Sequence, residues 1–283
     1  MEKIKIVTDC TCDLSEELIQ KYDIDVIPLI VSIGGKSYKE NEISQTKMFE
    51  LIKEHRELPK TAALTPHNYY EIFKGYIDQG YSVLYMGIGA HFSSCYQNTL
   101  IGAEELPKDK IRIVDSANLS SGIGLLVLKA AKFRDLGYSL DQIATEVEKI
   151  VPRVRTMFSI DTLEYLHKGG RCSGTARVFG TMLKIKPIIR VVDGKMVVAQ
   201  KPRGKYKAAL DAQLNYFMHD KDNIDKEHIF ITHCLAKDED IEYLKETITK
   251  EIPVENLHVT NASSVISTHC GPRTIGILYI VNE

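Results

Sequence analysis

Ser93, Asp115 and His269 are the residue types of a hydrolytic triad, and all three fall in segments expected to be loops near strand ends. A serine nucleophile needs a base to take its proton and a third group to orient that base. The strained Gly-x-Ser-x-Gly turn that exposes such a serine surrounds neither Ser93 nor Ser121, so hydrolysis stays the lesser alternative. Phosphate chemistry fares no better. Gly35-Lys36-Ser37 resembles the end of a P-loop, but Ile30 stands where that loop needs its first glycine. Gly87-Ile88-Gly89 and Gly122-Ile123-Gly124 each begin a dinucleotide fingerprint and lack its third glycine, because Phe92 and Val127 occupy those places. No nucleotide or other cofactor is expected.

Cys10 and Cys12 could bring two thiols to one side of a strand, yet no second cysteine or histidine pair follows at zinc-ligand spacing. Two free thiols is the reading. The six cysteines are scattered through 283 residues, and the chain opens MEKIKIVTD without a charged leader and apolar run. A cytoplasmic protein with reduced thiols is expected. Lysine and arginine number 36 against 38 acidic residues, a net charge of −2. That balance offers no global attraction to nucleic acid or to an anionic membrane. The longest apolar runs, near residues 124–128 and 277–281, are far short of the roughly 20 residues that cross a bilayer. No stable membrane anchor is expected.

The elements that must position these residues read as repeated strand, loop and helix units. Strands are predicted over residues 4–7, 26–33, 82–86 and 111–114, and the second of them ends at a tight turn over Gly34-Gly35. Such repeats imply a mainly parallel sheet with helices on its faces. Ligands bind beyond the carboxyl ends of parallel strands, which points to the loops opening at Asp9, Gly87 and Asp115. After a helix over residues 140–151 the character changes. An apolar helix is expected after Arg171, and Asp193-Gly194 between two β-branched runs predicts a hairpin. A helix over 206–219, a strand over 228–232, a helix over 238–250 and a strand over 276–281 follow. The length suits two α/β domains, residues 1–155 with a mainly parallel sheet and residues 156–283 with a mixed one.

Several segments together resemble the DegV family. Thr8-Asp9-Cys10-Thr11-Cys12-Asp13-Leu14, Lys60-Thr61-Ala62-Ala63-Leu64-Thr65-Pro66 and Phe92-Ser93-Ser94-Cys95-Tyr96-Gln97 are similar to its three loops in the first half. In the second half the matches are the run from Asp161 to Arg171, Lys184-Ile185-Lys186-Pro187-Ile188, Lys201-Pro202-Arg203-Gly204 and His269-Cys270-Gly271-Pro272. The chain departs from the pattern at Cys10 for a serine, at Ser94 for a glycine and at Arg273 for a second glycine.

The resemblance implies a fatty-acid-binding protein of two α/β domains, the acyl chain in a tunnel and the carboxylate near the surface. It implies a subunit of a bacterial fatty acid kinase, whose separate ATP-binding subunit phosphorylates the bound acid to an acyl phosphate for phospholipid synthesis. By the same resemblance Thr61, Ser93 and His269 are donors to the carboxylate, and Arg171 and Arg203 meet the partner or the phosphate. A histidine beside that carboxylate has its protonated form favoured. Without the family, the same residues read as two turn hydroxyls, a satisfied loop histidine and two solvated arginines. A lipid storage or sensing module without a kinase stays open beside the carrier.

Overall fold

The computed structural model describes residues 2–172 and 185–282. The apolar helix expected after Arg171, and Lys184, lie outside the described residues. A four-stranded, wholly parallel sheet forms in the first half, in the order β2 (Ile24–Ile27), β1 (Ile4–Asp9), β6 (Ser82–Gly87), β7 (Ile111–Asp115). Every residue of β6 is buried, as in a central strand covered on both faces.

The strand expected over residues 26–33 is two strands. Pro28 has no N–H for a ladder, and the chain leaves the parallel sheet there. It resumes as β3 (Ile30–Ile33) in a small antiparallel sheet with β4 (Lys36–Lys39) and β5 (Lys60–Ala62). Gly34 and Gly35 make the expected turn, with φ of +59° and +72°.

The second sheet is mixed and six-stranded, in the order β10 (Lys195–Gln200), β9 (Ile188–Val192), β8 (Val154–Ser159), β13 (Thr274–Ile280), β11 (Ile229–Cys234), β12 (Leu257–Asn261). Only β11 and β12 run parallel. Asp193 and Gly194, with φ of +48° and +71°, close the β9–β10 hairpin as predicted.

Between the sheets lies α5 (Ser121–Asp135), which packs on β1 and β6 on one side and on β8 and β13 on the other. Its first eight residues are all buried, as befits a helix with no solvent face there. This explains the glycines of the failed fingerprint. A Cβ on Gly122 would stand 2.2 Å from Asn118 Oδ1, and one on Gly124 2.7 Å from Leu14 Cδ2, so both are packing glycines.

The outer faces are covered separately. Helix α3 (Pro66–Asp78) buries Tyr69 and Phe73 against Val83 and Tyr85 of the first sheet, and α4 (Cys95–Gly102) packs beside it. Helices α8 (Lys207–His219) and α9 (Asp238–Glu251) bury Phe217 and Leu244 against Ile231 and Ile277 of the second. The remaining described helices are α1 (Glu16–Lys21), α2 (Gln45–His55), α6 (Leu140–Ile150), α7 (Glu164–Gly169) and α10 (Ser264–Cys270). None of the helices among the described residues is long and apolar enough to cross a membrane.

Candidate ligand-binding site

Strand alternation sends Thr156 and Phe158 of β8, Thr232 and Cys234 of β11, and Thr274, Gly276 and Leu278 of β13 to one face of the second sheet. These residues border an internal cavity of about 400 Å³. The size is within the range of small-molecule sites. The loop after β6 supplies Ile88 and Phe92, the turn before α5 supplies Leu119, and α10 supplies Val265. The lining is therefore mostly apolar. The small sheet contributes Thr61 at its β5 edge.

At one end the lining becomes polar. His269, in the last turn of α10, places Nε2 2.8 Å from Thr61 Oγ1. Its Nδ1 is buried without a hydrogen-bond partner among the described residues. The ring is held against Gly169, where a Cβ would lie 2.6 Å from Nδ1. Burial and the neighbouring Arg171 push the His269 pKa down to about 4, so the imidazole is neutral at pH 7. The protonated form expected beside a carboxylate is thus not the form that the protein's own surroundings favour. A bound carboxylate would have to supply the missing favourable charge.

Ser93 borders the same end. Its Oγ accepts from the Cys95 amide at 3.2 Å and donates to Cys95 Sγ at 3.1 Å, which makes it both a turn hydroxyl at the start of α4 and a cavity residue. Arg171 follows the left-handed Gly170, φ +67°, and donates to the Gly169 carbonyl at 2.5 Å. It is exposed, and with Phe92, Ser93 and Ser94 it borders both the cavity and an outer depression of about 440 Å³ that also includes His91 and Gln97. Thr61, Ser93, His269 and Arg171 therefore meet at one mouth. Arg203 does not; it is exposed in the segment before α8, pairs in an isolated bridge with Ile185, and borders neither space.

The loops flagged by strand polarity are knitted by carboxylates. Asp9 is buried and accepts from the Thr11 amide at 2.9 Å, the Ile88 amide at 3.0 Å and Tyr85 Oη at 3.1 Å. Asp115 accepts from the amides of Ala90 at 3.1 Å and Ala117 at 2.9 Å. No triad results. His269 bonds to Thr61, Ser93 to Cys95, and Asp115 to backbone amides, so among the described residues no acid orients the imidazole and no imidazole reaches the serine. His269 also stands on a helix and not in the expected loop. Cys10 and Cys12 are buried as separate thiols, both held protonated chiefly by burial. Among the described residues no cluster of three or more His, Cys, Asp or Glu could hold a metal.

The family model described as an uncharacterised protein of the DegV family matches residues 3–282. The chain belongs to the DegV family. It is 34% identical to a DegV domain-containing protein of Clostridium acetobutylicum, over 99% of both chains. Among solved structures it resembles a DegV family protein from Thermus thermophilus described for its fatty acid binding, with a TM-score of 0.91, 28% identity and 99% of each chain covered. It also resembles a fatty acid binding DegV family protein from Streptococcus agalactiae, with a TM-score of 0.90, 25% identity and full coverage of both.

The α/β architecture, with its parallel four-stranded and mixed six-stranded sheets, is thus the DegV fold, and the departures from the DegV pattern acquire physical meaning. Ser94 has φ −74° and ψ −2°, ordinary right-handed backbone, so this loop does not need the glycine. Arg273 has φ +60°, the left-handed region in which glycine is at ease. It neither meets the cavity nor simply faces water. Its guanidinium lies 3.8 Å from Asp161 Oδ1, 3.6 Å from Asp240 Oδ2 and 4.8 Å over the Tyr206 ring. Cys10 uses its sulfur as an acceptor for the Leu29 amide at 3.4 Å.

Proposed function

We propose that this DegV protein holds a long-chain fatty acid and presents its carboxylate to an ATP-binding kinase subunit, which forms the acyl phosphate. The observation that carries this reading is the union of a mainly apolar cavity with a polar mouth that Thr61, Ser93, His269 and Arg171 border together. The fatty acid binding of the Thermus thermophilus and Streptococcus agalactiae relatives supports the ligand class.

The acyl chain supplies affinity, at roughly 0.8 kcal/mol for each methylene removed from water. The carboxylate, once desolvated, requires replacement hydrogen bonds, and Thr61, Ser93 and His269 supply them, the imidazole gaining a second proton beside the bound charge. Arg171, exposed in the outer depression, suits an incoming phosphate by paired N–H donors. Arg203, outside the cavity, suits contact with the partner. The protein itself is a binding subunit, without a cofactor of its own, working in the cytoplasm. The rival is a storage or sensing module that binds the same acid without a kinase.

Protein purified from a bacterial host should carry a stoichiometric fatty acid of about 14 to 18 carbons, since that many buried methylenes hold through purification. Denaturing extraction and mass spectrometry measure it. No lipid, and no binding of added fatty acid, would remove the reading. Acyl phosphate formation with a matched kinase subunit, ATP and oleate separates the carrier from the storage module.

A further inference from the structure

The ligand reading leaves unused Asp13, the acid of the segment after β1, which stands where three elements meet. Its backbone is left-handed, with φ +50°, and the residue is only 4% exposed. One carboxylate oxygen, Oδ2, accepts from Ser120 Oγ at 2.6 Å, directly before α5. The other, Oδ1, accepts from the Ser263 amide at 2.7 Å, directly before α10. Glu40 takes the next amide, that of Ser264, at 3.1 Å. Both helix starts wall the cavity, through Ser120 on one side and Val265, Ile266 and His269 on the other.

We propose that Asp13 is a positioning residue: its ionised carboxylate latches the starts of α5 and α10 together and so fixes His269 at the cavity mouth. The consequence for binding rests on the ligand reading; the latch itself does not. A carboxylate accepts an N–H or O–H more strongly than a neutral acid does. Once protonated, Asp13 keeps a weaker acceptor for Ser263 and donates from Oδ2 to Ser120. That reverses the second bond and turns the Ser120 hydrogen away from the latch.

The latch is built to titrate near neutrality. Burial raises the Asp13 pKa to about 7, while the bonds from Ser120 and Ser263 favour the ion and Glu40 opposes it. The titratable groups facing it are Glu40 beside the start of α10, Cys12 on its own turn and Cys270 at the end of α10. Both thiols are held protonated, so Glu40 is the charged neighbour that acts on it. With half-ionisation near 7, the ionised share falls from about nine tenths at pH 8 to about one tenth at pH 6.

Asp13→Asn preserves the shape, with Oδ1 accepting from Ser263 and Nδ2 donating to Ser120, and so copies the protonated acid at every pH. Hydrogen exchange at the first-turn amides of α10 in ligand-free protein, corrected for the intrinsic rate, is the direct test. Wild-type protection should fall several-fold from pH 8 to pH 6, and Asp13→Asn should stay at the low value throughout. An identical pH slope in the two proteins overturns the latch. If the asparagine variant fails to fold, Ser120→Ala should move the wild-type midpoint to higher pH, because one bond favouring the ion is gone; an unmoved midpoint overturns it equally. Binding of a fluorescent polyene alcohol, whose head does not titrate, should weaken over the same window in wild type only. If exchange follows the expected slope but neither this alcohol nor the matching acid binds, the latch stands and the fatty acid reading falls.

Discussion

On the walls away from the mouth, three hydroxyls have partners of their own, whereas His233, which also borders the cavity, has its Nδ1 buried without a partner among the described residues. Thr156 Oγ1 donates to Asn118 Oδ1 at 2.7 Å, Thr232 Oγ1 pairs with Thr260 Oγ1 at 2.9 Å, and Ser120 Oγ donates to Asp13 at 2.6 Å. At the mouth the same accounting fails. His269 Nδ1 has no partner among the described residues, and Ser93 directs its proton to a thiol sulfur, a weak acceptor. Those three hydroxyls thus offer a ligand little, whereas the mouth brings together Thr61, His269 and Ser93, whose bond to a thiol is readily exchanged. Energetically, the deep part sets how tightly a chain is held and the mouth sets which head group is chosen.

The largest expected effect attacks the apolar lining. Val265 is buried on α10 and borders the cavity. Val265→Phe should displace about four methylenes of a long acid, a loss of about 3 kcal/mol or more than a hundredfold in affinity. An acid short enough to avoid the ring should lose far less. Titration of acids of graded length measures this, and equal losses at all lengths would mean that the wall does not set affinity.

A pH experiment addresses the mouth. His269 titrates near 6.5 when unfolded and is pushed down to about 4 in the fold, by burial first and Arg171 second. The unfolded chain therefore takes the proton first, and the stability present above pH 6.5 is lost as pH falls towards 4. The share due to His269 is about 2 kcal/mol at pH 5. His228, also pushed down to about 4 by burial and His258, acts in the same direction, so the informative quantity is the difference from His269→Gln. Denaturant unfolding at pH 7 and pH 5 should show a shallower loss in the variant, and wild type saturated with fatty acid should also lose less. A slope unchanged by His269→Gln would show that the imidazole is not desolvated.

Ser93→Ala should weaken a fatty acid by about 1.5 kcal/mol more than the matching alcohol, because the lost donor faces a desolvated, charged oxygen. Paired titrations measure the difference. Equal weakening would assign Ser93 to the shape of the mouth, through its bond to the Cys95 amide, and not to reading the head group.

The two regions also differed in how far sequence could reach them. Alternation and turn residues located β1, β6, β7 and the Asp193-Gly194 hairpin, because those elements carry their own periodicity. The mouth is assembled from pieces without such a signal. Strand β5 is three residues long and exists through its register with β3. Helix α10, with Val265, Ile266 and Thr268 among serines, has no helical pattern; its start depends on Ser263 Oγ, Asp13 and Glu40. Thr61 and His269 are 208 residues apart, and only family resemblance could pair them. The same resemblance gave no warning that the surrounding protein keeps His269 neutral, which is chiefly a property of burial.

The smallest expected effect on affinity concerns the two arginines, and it tests where the mouth ends. Arg171 borders the cavity and the outer depression, while Arg203 borders neither; both are exposed. Surface substitutions away from a site usually change free energies by less than about 0.5 kcal/mol. Arg203→Ala should therefore leave fatty acid affinity within that margin, and Arg171→Ala should cost little more, since solvent screens a charge at the rim. Turnover with a competent kinase subunit should respond differently. Both variants should lose acyl phosphate formation at saturating acid, as expected for charges that act in docking or in the transition state and not in ground-state binding. A fluorescent fatty acid titration gives the first quantity and coupled turnover the second. If Arg171→Ala loses affinity and turnover in the same proportion, the mouth extends to the guanidinium and Arg171 joins the carboxylate site. If Arg203→Ala changes neither quantity, the partner surface lies elsewhere, and the division between holding the acid and handing it over must be drawn through Arg171 alone.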